Sequence, residues 1–332
     1  MQLQFSFIIP VFNRPKEIKE LLESFLNLDT DCDYEIVIIE DGSTLTALHT
    51  VDAFKAHLHI SYYFKQNSGP GASRNYGMKR AKGNYFIILD SDCILPKNYL
   101  TEVENSLKDD YVDGFGGPDA AHESFTNLQK AINFSMTSFI TTGGIRGHKK
   151  SIDKFQPRSF NMGLSKAAFE ASGGFGRIHP GEDPDLSIRL WSLNYKTKLI
   201  PNAFVYHKRR ISWRKFYTQV HKFGVVRPIL NKWHTHTKKI TYWFPTLFSL
   251  GFIVSIVLFF LNFKWLFVFY ALYFVVAFLV ALMSTKSLVV ATYALIAISI
   301  QFFGYGFGFI KSIIAVQLLN RNPEQQFPKL FF

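Results

Sequence analysis

Residues 85–96 read YFIILDSDCILP. Five apolar residues, Tyr85 to Leu89, run straight into two aspartates one residue apart. An apolar run of this length reads as a strand buried on both faces. Carboxylates are almost never buried without a partner. Asp90 and Asp92 are therefore expected at the strand's end, facing something that favours negative charge.

The same grammar recurs on the N-terminal side. Residues 4–11 (QFSFIIPV), 34–39 (YEIVII) and 60–64 read as strands. Residues 15–28 carry helical spacing through Ile18, Leu21, Leu22 and Phe25, and 46–57 and 70–82 also read as helices. Strand and helix in alternation imply an α/β domain with a mostly parallel sheet covered on both faces. Ligands of such sheets bind at the carboxyl ends of the strands. Those ends carry Pro10-Val11-Phe12-Asn13-Arg14, Glu40-Asp41-Gly42-Ser43, the stretch Asn67 to Asn75 (NSGPGASRN), and Asp90-Ser91-Asp92.

Charge is unevenly spread along the 332 residues, whose net charge is +12. Residues 1–185 hold 24 Asp+Glu against 19 Lys+Arg, whereas 186–239 hold 13 Lys+Arg and no acid. Three uncharged apolar runs follow, at 243–263, 265–283 and 287–310. Each is long enough to cross a hydrocarbon core of about 30 Å. Trp243 and Trp265 stand at run edges, where interfacial aromatics belong. The basic stretch abuts the first run, which points to a bilayer and excludes nucleic acid as the partner. By the positive-inside rule it puts the large domain in the cytoplasm, at the inner or plasma membrane. Gly304, Gly306 and Gly308 could break the third run, pack closely, or begin a re-entrant piece. Phe5 to Phe12 is too short for a signal peptide. Cys32 and Cys93 give no disulfide framework.

These motifs, in this order, resemble family-2 glycosyltransferases with the GT-A nucleotide-sugar-binding fold, anchored in a membrane and inverting. The resemblance runs from about residue 5 to about residue 207. It implies a GT-A domain over 1–207, a basic aromatic interfacial segment over 208–240, about three transmembrane helices over 241–319 and a tail over 320–332.

The resemblance also implies roles. A diphosphate leaving group needs its charge offset, and a hard divalent cation does this by bridging phosphate oxygens. Asp92, the last acid of the DxD motif, is implied as the metal ligand, and Asp90 as a contact to ribose or base. Asp41 is implied to bond the nucleobase, and Pro10 and Phe12 to line its pocket. Arg14 departs from the pattern, because many relatives carry an acid there. The glycine-rich turn at Gly69 opens a helix whose free N–H groups favour phosphate, with Arg74 adding a phosphate or base contact. Ser159 to Gly163 resembles the segment leading into the acceptor site. In Gly181-Glu182-Asp183-Pro184, Asp183 is implied as general base and Glu182 as the second candidate. Asp183 before Pro184 also reads as a helix N-cap. His207 is implied as a metal or diphosphate ligand, and imidazole suits Mn²⁺ better than Mg²⁺. Residues 208–239 fit a segment lying in the interface, basic groups toward lipid phosphates.

The expected function is a metal-dependent inverting glycosyltransferase, with a nucleotide-diphosphate sugar as donor and a glycan or lipid-linked acceptor. A polyprenyl-phosphate glycosyltransferase lies within that reading. A processive polysaccharide synthase fits less well, because Gln219 is not followed by the Gln-x-x-Arg-Trp pattern. A non-catalytic nucleotide-binding scaffold for glycan assembly conflicts with the intact acids at 41, 90, 92 and 183.

Overall fold

The computed structural model describes residues 2–120, 125–143, 155–207 and 212–332. In chain order the elements are β1 (Phe5–Val11), α1 (Pro15–Phe25), β2 (Tyr34–Asp41), α2 (Leu48–Phe54), β3 (Ile60–Lys65), α3 (Gly69–Met78) and β4 (Tyr85–Leu89). There follow β5 (Cys93–Ile94), α4 (Tyr99–Asp109), β6 (Gly114–Gly116), β7 (Asp119–Ala120), α5 (Asn127–Thr137) and α6 (Phe139–Thr142). Next come β8 (Asn161–Ser165), α7 (Lys166–Ser172), α8 (Glu182–Ser192), β9 (Thr197–Leu199) and β10 (Val205–His207). The long helices α9 (Trp213–Trp233), α10 (Phe244–Phe260), α11 (Trp265–Thr285) and α12 (Leu288–Ser312) complete the set used below.

The chain forms two compact units. The first holds β1–β10, α1–α4, α7, α8 and the last two residues. Its seven-stranded sheet has the order β3-β2-β1-β4-β8-β6-β9. Strands β1–β4 are mutually parallel, and β8 runs antiparallel to both β4 and β6. Successive side chains of a strand point to opposite faces. Phe7, Ile9, Ile87 and Leu89 accordingly bury in one core with α1 and α4, and Ile8, Phe86 and Ile88 in the other with α3, α7 and α8. Both faces are covered, so β4 is buried at all five positions. A small sheet, β5-β10-β7, carries His207 beside Cys93.

Gly77 sets the depth of α3. A Cβ there would stand 2.5 Å from Ile39 Cδ1 and 2.8 Å from Ile8 Cγ2. The helix therefore sits close on the sheet, and its first turn lies where β1, β2 and β4 end. The loop before α8 is braced by the last residues of the chain. Phe332 donates its N–H to the Arg177 carbonyl at 3.2 Å, Arg177 Nε donates to the Phe332 carbonyl at 2.8 Å, and the Phe332 ring covers Gly69.

The second unit is helical and includes α5, which lies inside the 1–207 range expected for the first domain. Among the described residues, three helices are long and apolar enough to cross a membrane: 240–260, 265–285 and 288–318. Their outward side chains stay open, as with Val257 (56%) and Val275 (54%). Helices α5, α9, α10 and α11 all pack on α12. The third span holds 31 residues, roughly 46 Å at 1.5 Å per residue, well beyond a core of about 30 Å. Gly304, Gly306 and Gly308 do not break it: they pack. A Cβ at Gly304 would meet Val220 Cγ2 at 2.6 Å, at Gly306 the Pro245 carbonyl at 2.9 Å, and at Gly308 the His221 carbonyl at 2.3 Å. Gly224 of α9 answers them, 2.1 Å from the Tyr305 carbonyl by the same construction.

This changes the reading of 208–239. Residues 208–211 lie outside the described residues. The rest is largely a helix whose Phe216, Val220, Val225, Ile229 and Leu230 are buried, so only part of its surface is left for an interface. Tyr217 and Trp233 remain exposed. Gly224→Val should overpack the α9–α12 contact and destabilise the protein by about 1–3 kcal/mol. Thermal unfolding in detergent micelles checks this, and an unchanged midpoint would show that the close approach is not needed.

Candidate functional site

Two loops at the strand ends are tied together by Asn13. Its backbone lies in the left-handed region at φ 55°, a conformation asparagine tolerates better than most residues. Its N–H donates to Ser43 Oγ at 2.7 Å, and its Oδ1 accepts from the Thr44 and Leu45 N–H groups, each at 2.9 Å. Glu40, fully buried, accepts from Ser43, from the Ala47 N–H at 2.8 Å and from the Tyr62 hydroxyl at 3.0 Å. Asp41 faces Lys65 across the β2–β3 register and pairs with its ammonium. The Ser68 N–H adds a bond to the same Asp41 oxygen at 2.9 Å. Pro10 and Phe12 close the same end, and the Phe12 ring is 51% exposed. Lys65, Glu40 and Asn13 were not singled out by sequence. A lysine closing β3 opposite the acid that closes β2 was the available signal.

The remaining predicted residues converge in one ion-paired cluster. Arg74 is 3% exposed. Its Nη2 meets Asp90 Oδ1 at 2.8 Å and its Nη1 meets Glu182 Oε1 at 3.2 Å. The guanidinium also lies over the Phe175 ring, 5.3 Å from its centroid. It thus links two acids and does not stand open as a phosphate ligand. Asp92 pairs with Arg14 through Oδ2, and its Oδ1 lies 3.3 Å from His207 Nε2. Asp90 Oδ2 is 3.9 Å from the same nitrogen. His207 stacks on Phe160, 4.9 Å between centroids. Burial raises the Asp92 carboxyl, but the His207 and Arg14 charges outweigh it and hold the group well below the usual range.

Glu182 and Asp183 open α8 and differ sharply. The N-cap is Gly181 at φ 126°, so Asp183 is not the cap that its position before Pro184 suggested. The helix starts two residues earlier, and Asp183 falls inside its first turn. Burial pushes Glu182 up, but His179, with Nδ1 at 2.8 Å, and Arg74 pull it down to about 2. Burial and the negative charge of Glu182 push Asp183 up to about 6, against the opposing pull of Arg74 and Arg158. Asp183 Oδ1 is buried without a hydrogen-bond partner. Neighbouring carboxyls whose environments drive their pKa values apart are a mark of divided acid–base roles. His179 was missed by sequence, though it stands three residues before Glu182.

The cluster fits a hard divalent cation. Asp92 Oδ1 is buried without a hydrogen-bond partner and faces His207 Nε2. Metal–ligand bonds of about 2.0–2.2 Å span an O–N separation of this size. Among the described residues, Asp92, Cys93 and His207 offer ligand atoms within 4.8 Å of one another. Cys93 donates its thiol to the Phe160 carbonyl at 3.3 Å, and burial pushes that thiol well up. A protonated thiol is a poor ligand for a hard ion, which leaves oxygen and imidazole donors.

Comparison with known proteins fits this geometry. The family described as "Glycosyl transferase family 2" matches residues 6–172. An uncharacterized glycosyltransferase of Rickettsia felis is 42% identical over 103 residues, which are 31% of this chain and 16% of that protein. The poly(ribitol-phosphate) beta-N-acetylglucosaminyltransferase TarS of Staphylococcus aureus is 32% identical over 114 residues, 33% of this chain and 20% of that protein. The chain therefore spans less than a quarter of these relatives. A mannosyltransferase of Pyrobaculum calidifontis, solved with GDP-Man and Mn2+, superposes with a TM-score of 0.60 at 15% identity. The match covers 94% of this chain and 88% of that one, and it shows the shared GT-A-like fold.

Arg74→Met should leave Glu182 and Asp90 without their buried partner and destabilise the protein by about 3–5 kcal/mol. Denaturant unfolding measures this. A change below about 1 kcal/mol, the scale of a surface pair, would mean that the bridge carries little.

Proposed function

The chain belongs to glycosyl transferase family 2, and on that premise we propose that it is a membrane-anchored, divalent-metal-dependent, inverting glycosyltransferase. It moves a sugar from a nucleotide-diphosphate donor to a glycan or lipid-linked acceptor at the cytoplasmic face. The observation that carries this reading is the buried Arg74 bridge. Asp90, Asp92 and His207 lie on one side of it, and Glu182 and Asp183 on the other.

The first side is the donor half. Asp92 and His207, with Asp90 beside them, would hold the cation, which when bound offsets the charge of the departing diphosphate. The first turn of α3 presents backbone N–H groups toward phosphate. Pro10, Phe12 and Asp41 form the wall for the nucleobase, with Lys65 fixing Asp41. The Mn2+ of the mannosyltransferase complex makes that ion the first to test.

The second side is the acceptor half. Asp183 takes the proton from the attacking hydroxyl as the new sugar–oxygen bond forms and the bond to the diphosphate breaks. Its unpartnered Oδ1 is the receiving atom. A carboxyl raised to about 6 is ionised at neutral pH yet still basic enough to accept a proton. Glu182 is a positioning residue: Arg74 and His179 engage it, and its charge keeps Asp183 basic. Three spans preceded by Lys238 and Lys239 support anchoring with this domain inside. Anchoring raises the local concentration of a lipid-borne acceptor.

Transfer should rise with pH through about 6 and level off above it, because the base form of Asp183 fills over that range. Asp183→Asn should keep nucleotide binding and lose transfer by roughly 10²–10⁴-fold. Glu182→Gln should move the rise to lower pH. Rate–pH profiles with a nucleotide-binding titration test this. Full transfer by Asp183→Asn, or loss of its nucleotide binding, would remove Asp183 from the role of base.

A further inference from the structure

Arg14 stands where the family resemblance puts an acid, and it pairs with Asp92, the residue assigned to the cation. We propose that Arg14 is a resident counter-ion of Asp92, which a divalent cation displaces on loading, so that Arg14 sets the affinity of the site for metal. This rests on the metal-dependent reading above.

The need for a counter-ion comes from burial. The Asp92 side chain is 12% exposed, and Asp90 lies close by with His207 Nε2 between them. An ionised carboxylate in such a place is costly without a positive partner. Arg74 supplies Asp90, and Arg14 supplies Asp92. An arginine cannot give up its proton in a protein, so this partner stays charged at every working pH. A cation bound through Oδ1 would face the full positive charge that Arg14 places on Oδ2 of the same carboxylate, and that repulsion favours departure of the mobile partner.

The loop is built so that the side chain leaves and the backbone stays. Asn13 is anchored by four bonds to the Ser43–Leu45 segment, and Pro15 starts α1 on the other side. Arg14 itself caps nothing with its side chain, and that side chain is 33% exposed, with solvent to move into. Its other carboxylate neighbours are Asp90, already paired with Arg74, and Glu17 in the first turn of α1. A freed guanidinium is a planar fork that matches phosphate. Metal loading would therefore release a diphosphate ligand at the mouth of the donor site, which links the two binding events.

The test is Mn²⁺ binding to the full chain in nanodiscs, followed by the electron paramagnetic resonance of free Mn²⁺, without nucleotide. Arg14→Ala and Arg14→Gln should bind Mn²⁺ about tenfold more tightly than the parent protein, a coupling of ordinary size, and Arg14→Lys should stay near the parent. Without metal the Ala and Gln variants should melt lower, and Mn²⁺ should raise their midpoints by more. Adding a nucleoside diphosphate should tighten Mn²⁺ more in the parent than in either variant. Equal or weaker Mn²⁺ binding by both variants would overturn the role of Arg14 alone. Absence of binding to parent and variants, or binding unaffected by Asp92→Asn, would overturn the metal reading itself.

Discussion

A single buried guanidinium is the constraint on which the site depends. Arg74 cannot lose its charge, so a position 3% exposed to solvent must supply acids. It supplies two, from distant parts of the chain: Asp90 at the end of β4 and Glu182 at the start of α8. The guanidinium can be there because Gly77, one turn later in α3, lets the helix settle on Ile8 and Ile39. Backbone packing in one place thus fixes charge geometry in another. The bridge holds Asp90 and Glu182 at a set separation, each on its own nitrogen of one guanidinium.

The acids are then sorted by what surrounds them. Asp41, Asp90, Asp92 and Glu182 each have a cation within ion-pair distance. Asp183 keeps a buried oxygen with no hydrogen-bond partner and is driven up by its neighbour. Its basicity has two origins, burial first and then the negative charge of Glu182, which Arg74 and His179 hold in place. The helical unit follows a different logic. Close approach of α9 and α12 needs small residues on both sides, and Gly224, Gly304 and Gly308 provide them.

Much of this was legible in the sequence where the signal is local. Strand and helix alternation, the acids at strand ends and the three apolar runs are patterns within a few residues, and each appears within a residue or a few of its expected place. The pairings were not legible, because they join positions far apart in the chain. Arg14 reaches Asp92 across 78 residues and Arg74 reaches Glu182 across 108. No periodicity announces them. The antiparallel β8 was hidden because NMGLS is short and lacks alternation. The N-cap reading of Asp183 failed because a glycine one place before Glu182 takes the positive φ that starts the helix earlier. The basic segment misled in part, since composition reports its charged surface and not the apolar residues turned into the bundle.

The most direct measurement is nucleotide release by the purified full chain in nanodiscs, offered UDP-, GDP-, CDP- and dTDP-sugars with Mn²⁺ or Mg²⁺ and a membrane lipid extract as acceptor source. Release is expected from one donor class, abolished by a chelator and restored by added metal. Undiminished release in the presence of chelator would contradict the metal half of the site, and failure to bind any of these nucleotides would contradict the assignment as a whole.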